Sequence, residues 1–205
     1  MTGKLLLTTA YLPPAQYISK IIDASEIYIE KEENYIKQTY RNRCSILSAN
    51  GILNLSVPVK RGSIHKTPVK DIEIDYSKRW QPIHLMAITS AYKSSAFYDY
   101  YFVRIEKVIK NKYRYLLDLN QNALLEILDI MRINSKIAFT QSFEPVNNEA
   151  YDYRYLINSK SEIIGSNVKL KKYFQLFPLS TGFVPNLSII DLLFNTGPDA
   201  TSFLK

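Results

Sequence analysis

In Lys4-Leu5-Leu6-Leu7-Thr8-Thr9-Ala10-Tyr11-Leu12-Pro13-Pro14-Ala15-Gln16-Tyr17-Ile18-Ser19-Lys20-Ile21-Ile22-Asp23-Ala24-Ser25-Glu26-Ile27-Tyr28-Ile29-Glu30, an apolar run, a helical run and an alternating run follow one another. Residues 4–8 read as a short buried strand. A helix over about 15–24 puts Tyr17, Ile18, Ile21 and Ile22 on its inner stripe. Pro14 suits the first helical turn, where a missing N–H is harmless. Over 26–30, Ile27 and Ile29 alternate with polar neighbours, as a strand requires. Such a β-α-β start normally makes parallel neighbours.

Outward from there, residues 45–48 and 52–59 flank Asn50-Gly51, a strong hairpin signal, and predict an antiparallel pair with one buried face. Ile72 and Ile74 alternate with acids in a further short strand. Helical periodicity follows in three segments: one opened by Pro82, one marked by Phe97, Tyr101 and Ile105, and one by Leu124, Ile127 and Leu128. Asp118 and Asn120 are candidate caps for the third. Residues 136–140 read as a returning strand. A closing helix is capped near Asn186 or Ser188 and ends near Gly197-Pro198. The expected class is α/β with a mixed sheet, a β-α-β start, an antiparallel hairpin and a covering layer of helices. One domain over 1–205 is expected, with an irregular excursion over about 141–170.

The chain has 205 residues, 46% hydrophobic, a formal net charge of +7 and 16 tyrosines. That charge favours anionic partners, and phenol rings suit flat or sugar-like ligands. No long Lys/Arg block or RNA-binding motif is present, which ranks nucleic acid below a small anionic ligand. The apolar runs are too short to span a bilayer, and the N-terminus lacks a secretory pattern, so a cytoplasmic location is expected. A single cysteine and two histidines leave no cysteine cluster or multi-histidine metal site, and no cofactor is expected. Cys44 reads as a small residue entering a strand, with nucleophile as the alternative.

Between the second strand and the hairpin lies Glu33-Asn34-Tyr35-Ile36-Lys37-Gln38-Thr39-Tyr40-Arg41-Asn42-Arg43-Cys44, three cations and amides among aromatics. Guanidinium forks and an ammonium suit phosphate or carboxylate. If the segment is extended, Arg41 and Arg43 share a side; if helical, Lys37 and Arg41 stack at i,i+4. A solvated basic connection is the other reading. With no Gly-rich phosphate loop, side chains would have to hold any phosphate. Tyr11, after the first strand, falls where open α/β sheets bind ligands. His84 has an ordinary pKa suited to proton exchange, and Tyr92, eight residues on, shares a helix face with it. Both also read as packing residues. Asp191, the acid in an apolar closing helix, is a candidate partner for Arg41 or Arg43. His65 reads as an exposed loop residue.

The pattern Tyr35-x-Lys37-x-Thr39-Tyr40-x-Asn42-Arg43, with Tyr11-Leu12-Pro13 upstream, Trp80-x-x-x-His84-Leu85 and Ala91-Tyr92 downstream, and residues 187–195 at the close, resembles the WbqC-like protein family over nearly the whole chain. Many relatives open with His-Gln-Pro-x-Tyr-x-Pro; here Leu7-Thr8-Thr9-Ala10 precedes Tyr11 and the His-Gln pair is absent. The resemblance implies O-antigen or other surface-polysaccharide biosynthesis, and transfer of an amino-acid or acyl group onto an activated sugar. Side-chain chemistry read beside that resemblance places Lys37, Arg41 and Arg43 on the anionic part of a nucleotide-sugar, Asn42, Tyr11, Tyr92 and Asp191 around the substrate, and His84 as proton-transfer group. A non-catalytic sugar-nucleotide-binding or scaffold protein of the same pathway is the alternative.

Overall fold

A computed structural model describes residues 3–60, 66–145, 151–158, 170–177 and 182–204. The chain adopts the α/β class expected: a parallel four-stranded sheet, an antiparallel hairpin and five helices among the described residues. Strands β1 (Lys4–Thr8), β2 (Glu26–Glu30), β5 (Lys136–Phe139) and β6 (Tyr151–Asp152) lie in the order β5-β2-β1-β6, every pairing parallel. Four of the five β1 residues are buried, as a strand covered on both faces requires.

From β1 the chain builds outward through β2 to β5, then returns to place β6 on the other flank of β1. That reversal creates a switch point where the carboxyl ends of β1 and β6 diverge, the usual ligand crevice of an open parallel sheet. The excursion expected over about 141–170 supplies β6; its residues 146–150 and 159–169 fall outside those described.

Helix α1 (Ala15–Ile22) connects β1 to β2. Its preceding residue, Pro14, has no side chain able to cap it. The side chain of Asn186 does so from far along the chain, accepting the Gln16 N–H at 2.9 Å. Ser188 donates its hydroxyl to the Leu12 carbonyl at 2.8 Å, and the Ile189 N–H reaches the Pro13 carbonyl at 2.8 Å. Helix α5 (Ile189–Thr196) is thereby fastened onto the turn after β1. Asn186 therefore caps α1, and Ser188 stands at the start of α5 without a side-chain capping bond to it.

The hairpin, β3 (Arg43–Ser48) with β4 (Gly51–Ser56), forms its own two-stranded sheet. Gly51 sits at φ 103°, where a side chain would be strained. The strand expected at Ile72 and Ile74 reduces to isolated bridges, Val59 with Ile74 and Glu73 with Tyr115. Its isoleucines are still fully buried. Helices α2 (Trp80–Tyr92), α3 (Tyr98–Lys110) and α4 (Leu116–Ile130) complete the cover. Asp118 and Asn120 lie inside α4, which starts after Tyr115. One buried apolar cluster runs from Leu5 and Ile29 through Ile72, Ile88 and Leu124 to Phe194, each large side chain stabilising by about 1.5–3 kcal/mol.

Candidate functional site

The basic segment is neither extended nor helical. Between Lys37 and Asn42 it turns, with Gln38 at φ 58°, and this separates its cations. Arg41 points inward and forks onto Glu33, Nε to Oε1 at 2.9 Å and Nη2 to Oε2 at 2.6 Å, both side chains almost fully enclosed. Glu33 also accepts the Thr8 hydroxyl at the end of β1, while Asn120 Nδ2 donates to the Arg41 carbonyl at 2.7 Å and to Thr9 Oγ1 at 3.0 Å. Arg41 thus braces the carboxyl end of β1. A buried bidentate pair of this kind leaves little guanidinium free for a ligand.

A second enclosed guanidinium lies beside it. Arg154, just after β6, forks onto Asp152 at 2.6–3.1 Å and reaches Glu30 Oε2, at the end of β2, at 3.1 Å. Its side chain has no exposure to solvent, and Phe143 and Tyr155 lie across the guanidinium at 5.3 and 5.7 Å. Arg41 and Arg154 border a small pocket of about 230 Å³ together with Lys37 and Tyr155.

Arg43 takes the opposite course. As the first residue of β3 it donates only Nε to Ser56 Oγ at 3.1 Å, and it borders a groove of about 650 Å³ with Lys37, Asn42, Lys78 and Asp75. Among the described residues none of these three cations is in a salt bridge. One carboxylate, Asp75, faces them, and its own oxygen accepts the Ser77 N–H. Asn42 donates Nδ2 to the Val57 carbonyl at 2.9 Å, and its Oδ1 is buried without a partner.

The groove adjoins a pocket of about 330 Å³ through Ser56, Pro58 and Lys78, which line both. Trp80 and His84 wall this second pocket with Leu53, Leu55, Ile83 and Ala87. The Trp80 Nε1 is buried without a hydrogen-bond partner. His84 is 3% exposed, its ring 5.1 Å from that of Trp80, and Nδ1 pairs with the Tyr11 hydroxyl at 3.0 Å. Burial pushes the imidazole down to about 4, against a smaller upward pull from a backbone hydrogen bond at Ser56. It is therefore neutral near pH 7 and well below the ordinary histidine value. Burial raises the Tyr11 phenol in turn.

This imidazole makes stability acid-sensitive. An unfolded histidine charges near pH 6.5, the folded one only near 4. Its contribution is complete above pH 6.5 and is lost as pH falls toward 4, by about 3 kcal/mol between pH 7 and pH 4. Urea unfolding at these two pH values is expected to show that loss in the wild type beyond whatever His84→Gln retains. Equal acid losses in both proteins would show that His84 ionises normally in the fold.

Tyr92 and Asp191 lie away from the groove. Among the described residues Asp191 pairs with no arginine: Oδ1 accepts the Tyr92 hydroxyl at 2.9 Å, and Oδ2 accepts Tyr173 at 2.5 Å and Gln175 Nε2 at 3.1 Å. These neutral donors satisfy it inside the core, while burial raises its pKa. Tyr92 also accepts the Leu47 N–H at 3.1 Å, tying β3 to α5. Both are framework residues by geometry. Cys44 is buried and its thiol is pushed up by that burial, which removes it as a thiolate nucleophile. His65 lies outside the described residues.

The structure thus brings Lys37, Asn42 and Arg43 to one groove, sets His84 in the wall of the adjoining pocket with the buried Tyr11 hydroxyl on its Nδ1, and draws Arg41, Tyr92 and Asp191 inward. Lys78, which lines the groove, and Glu30, Glu33, Asp152 and Arg154, which form the ion pairs at the strand ends, are residues that sequence reasoning left unassigned. For Glu30 a signal existed: an acid ending a strand buried on both faces needs a cation nearby.

The architecture is that of an α/β protein with a parallel sheet whose switch point is closed by buried ion pairs. The chain belongs to the WbqC-like protein family, whose model matches residues 9–162 and 151–203. It is 23% identical over 224 aligned residues to the uncharacterized protein Rv1507c of Mycobacterium tuberculosis, covering 98% of this chain and 96% of that one. No solved structure matches it. Among the described residues no helix is long and apolar enough to cross a membrane.

Proposed function

We propose that this chain binds an activated sugar such as a nucleotide-sugar through its anionic part, and is a metal-independent group transferase moving an amino-acid or acyl group in O-antigen or other surface-polysaccharide biosynthesis. One observation carries the binding half: Lys37, Arg43 and Lys78 converge on a single groove against one carboxylate, an excess of positive charge suited to a diphosphate. Family membership supports the pathway. Asn42 would orient the ligand, and the Tyr11–His84 pair would hold the adjoining wall.

Arg43→Ala removes the guanidinium that lines the groove and is expected to weaken nucleotide-sugar binding at least about tenfold by calorimetry. Among the described residues its guanidinium makes one side-chain hydrogen bond, to Ser56, so folding should survive. Unchanged affinity would remove the groove from consideration.

The enclosed, neutral His84 favours a second reading, a binding or scaffold protein without turnover. A weak base of pKa about 4 is poorly matched to proton transfer near pH 7. Product formation in a sugar-nucleotide screen supports the transferase; saturable binding with no product supports the scaffold.

A further inference from the structure

The basic groove ends against an apolar one, and the juxtaposition limits what occupies both. The adjoining pocket presents Leu53, Leu55, Ile83, Ala87 and the Trp80 ring. Its rim reaches the surface at Leu53 on β4 and at Ile83, 59% exposed, on α2, with Met86, 71% exposed, one helical turn from Ile83. Large aliphatic side chains left this open, on two elements that meet at one pocket, mark a place where apolar surface is covered by something else. Lys78 borders both compartments, so cationic and apolar walls are continuous.

We infer that the composite groove takes an anionic amphiphile: a phosphate held by Lys37, Arg43 and Lys78, with an alkyl or isoprenoid chain lying over Leu55, Ile83 and Trp80. A purely polar ligand would leave the second compartment unfilled, since its lining is mainly aliphatic and aromatic, with Asn54, Ser56, Lys78 and His84 as the polar members. A chain monomer satisfies both halves at once. The inference rests on the proposed anion-binding groove and adds the class of molecule that carries the anion.

Calorimetry of the full chain with inorganic phosphate and with monomeric butyl, hexyl and octyl phosphate tests it. Affinity is expected to climb along the series by roughly fifteenfold for each added pair of methylenes, from about fourfold for each one buried. Ile83→Glu, at an exposed helical position, is expected to flatten that climb, whereas Arg43→Ala lowers every member of the series. Affinity independent of chain length overturns the amphiphile while leaving the anion groove standing. Loss of response to Arg43→Ala with nucleotide-sugars removes the groove itself. Binding to vesicles containing phosphatidic acid without binding to monomeric octyl phosphate also overturns it, since that is adsorption to a surface.

Discussion

Arg41→Leu is expected to lower the stability of the folded chain by about 3–5 kcal/mol, because it leaves the Glu33 carboxylate buried with no cation. Glu33 is 1% exposed and keeps only the Thr8 hydroxyl once the guanidinium is gone. For a chain of this length the midpoint of thermal unfolding should fall by roughly 10 °C. The companion Glu33→Leu is expected to be comparably harmful, since it strands the positive partner. Replacing both should recover most of the loss, as apolar side chains of similar size often serve as well as a buried ion pair. A double-mutant cycle by urea unfolding measures this directly. Single variants within about 1 kcal/mol of wild type would mean that the pair contributes little and that Arg41 is free to serve a ligand.

Arg154→Met is the second large effect. Its guanidinium joins Asp152 in β6 to Glu30 at the end of β2, reaching across the end of β1 between them. β6 pairs through only two residues, Leu5 with Tyr151 and Leu6 with Asp152. Without the clamp, Glu30 retains Thr140 Oγ1 and the Glu32 N–H, but Asp152 loses its fork. A stability loss of about 3–5 kcal/mol is expected, with β6 opening first. Hydrogen exchange at the Tyr153 N–H, which donates to the Leu6 carbonyl at 2.9 Å, should accelerate more than exchange within α4. Arg154→Lys is expected not to rescue it, since one ammonium cannot reproduce a fork to Asp152 together with a reach to Glu30. Uniform acceleration across both elements would mean that Arg154 acts on the whole fold and has no special hold on β6.

The elements that sequence made legible are those fixed by local pattern. β1, α1 and β2 follow from a switch of hydrophobic period within 27 residues, and the hairpin from Asn50-Gly51 between alternating runs. The carboxyl-end placement of Tyr11 follows from that same topology. What was hidden depends on where charges meet in three dimensions. Arg41 and Arg43 differ by two positions, yet a turn sends one to Glu33 and the other to the groove. Nothing in residue type distinguishes them. Arg154 lies in a stretch without periodicity, and its carboxylates come from two different strands. His84 was expected at its ordinary pKa because sequence reveals its helix, not the Trp80 and Tyr11 rings enclosing it.

The capping of α1 by Asn186 has a consequence for how the chain is made. Capping atom and capped amide are 170 positions apart, so a ribosome delivers β1, α1 and β2 long before residue 186 emerges. The nascent N-terminal segment must wait with its helix end open, and the hydroxyl lock from Ser188 to Leu12 arrives at the same late moment. Contacts so distant in sequence close very large loops and slow folding. Helix α1 is completed only after residue 186 has been made.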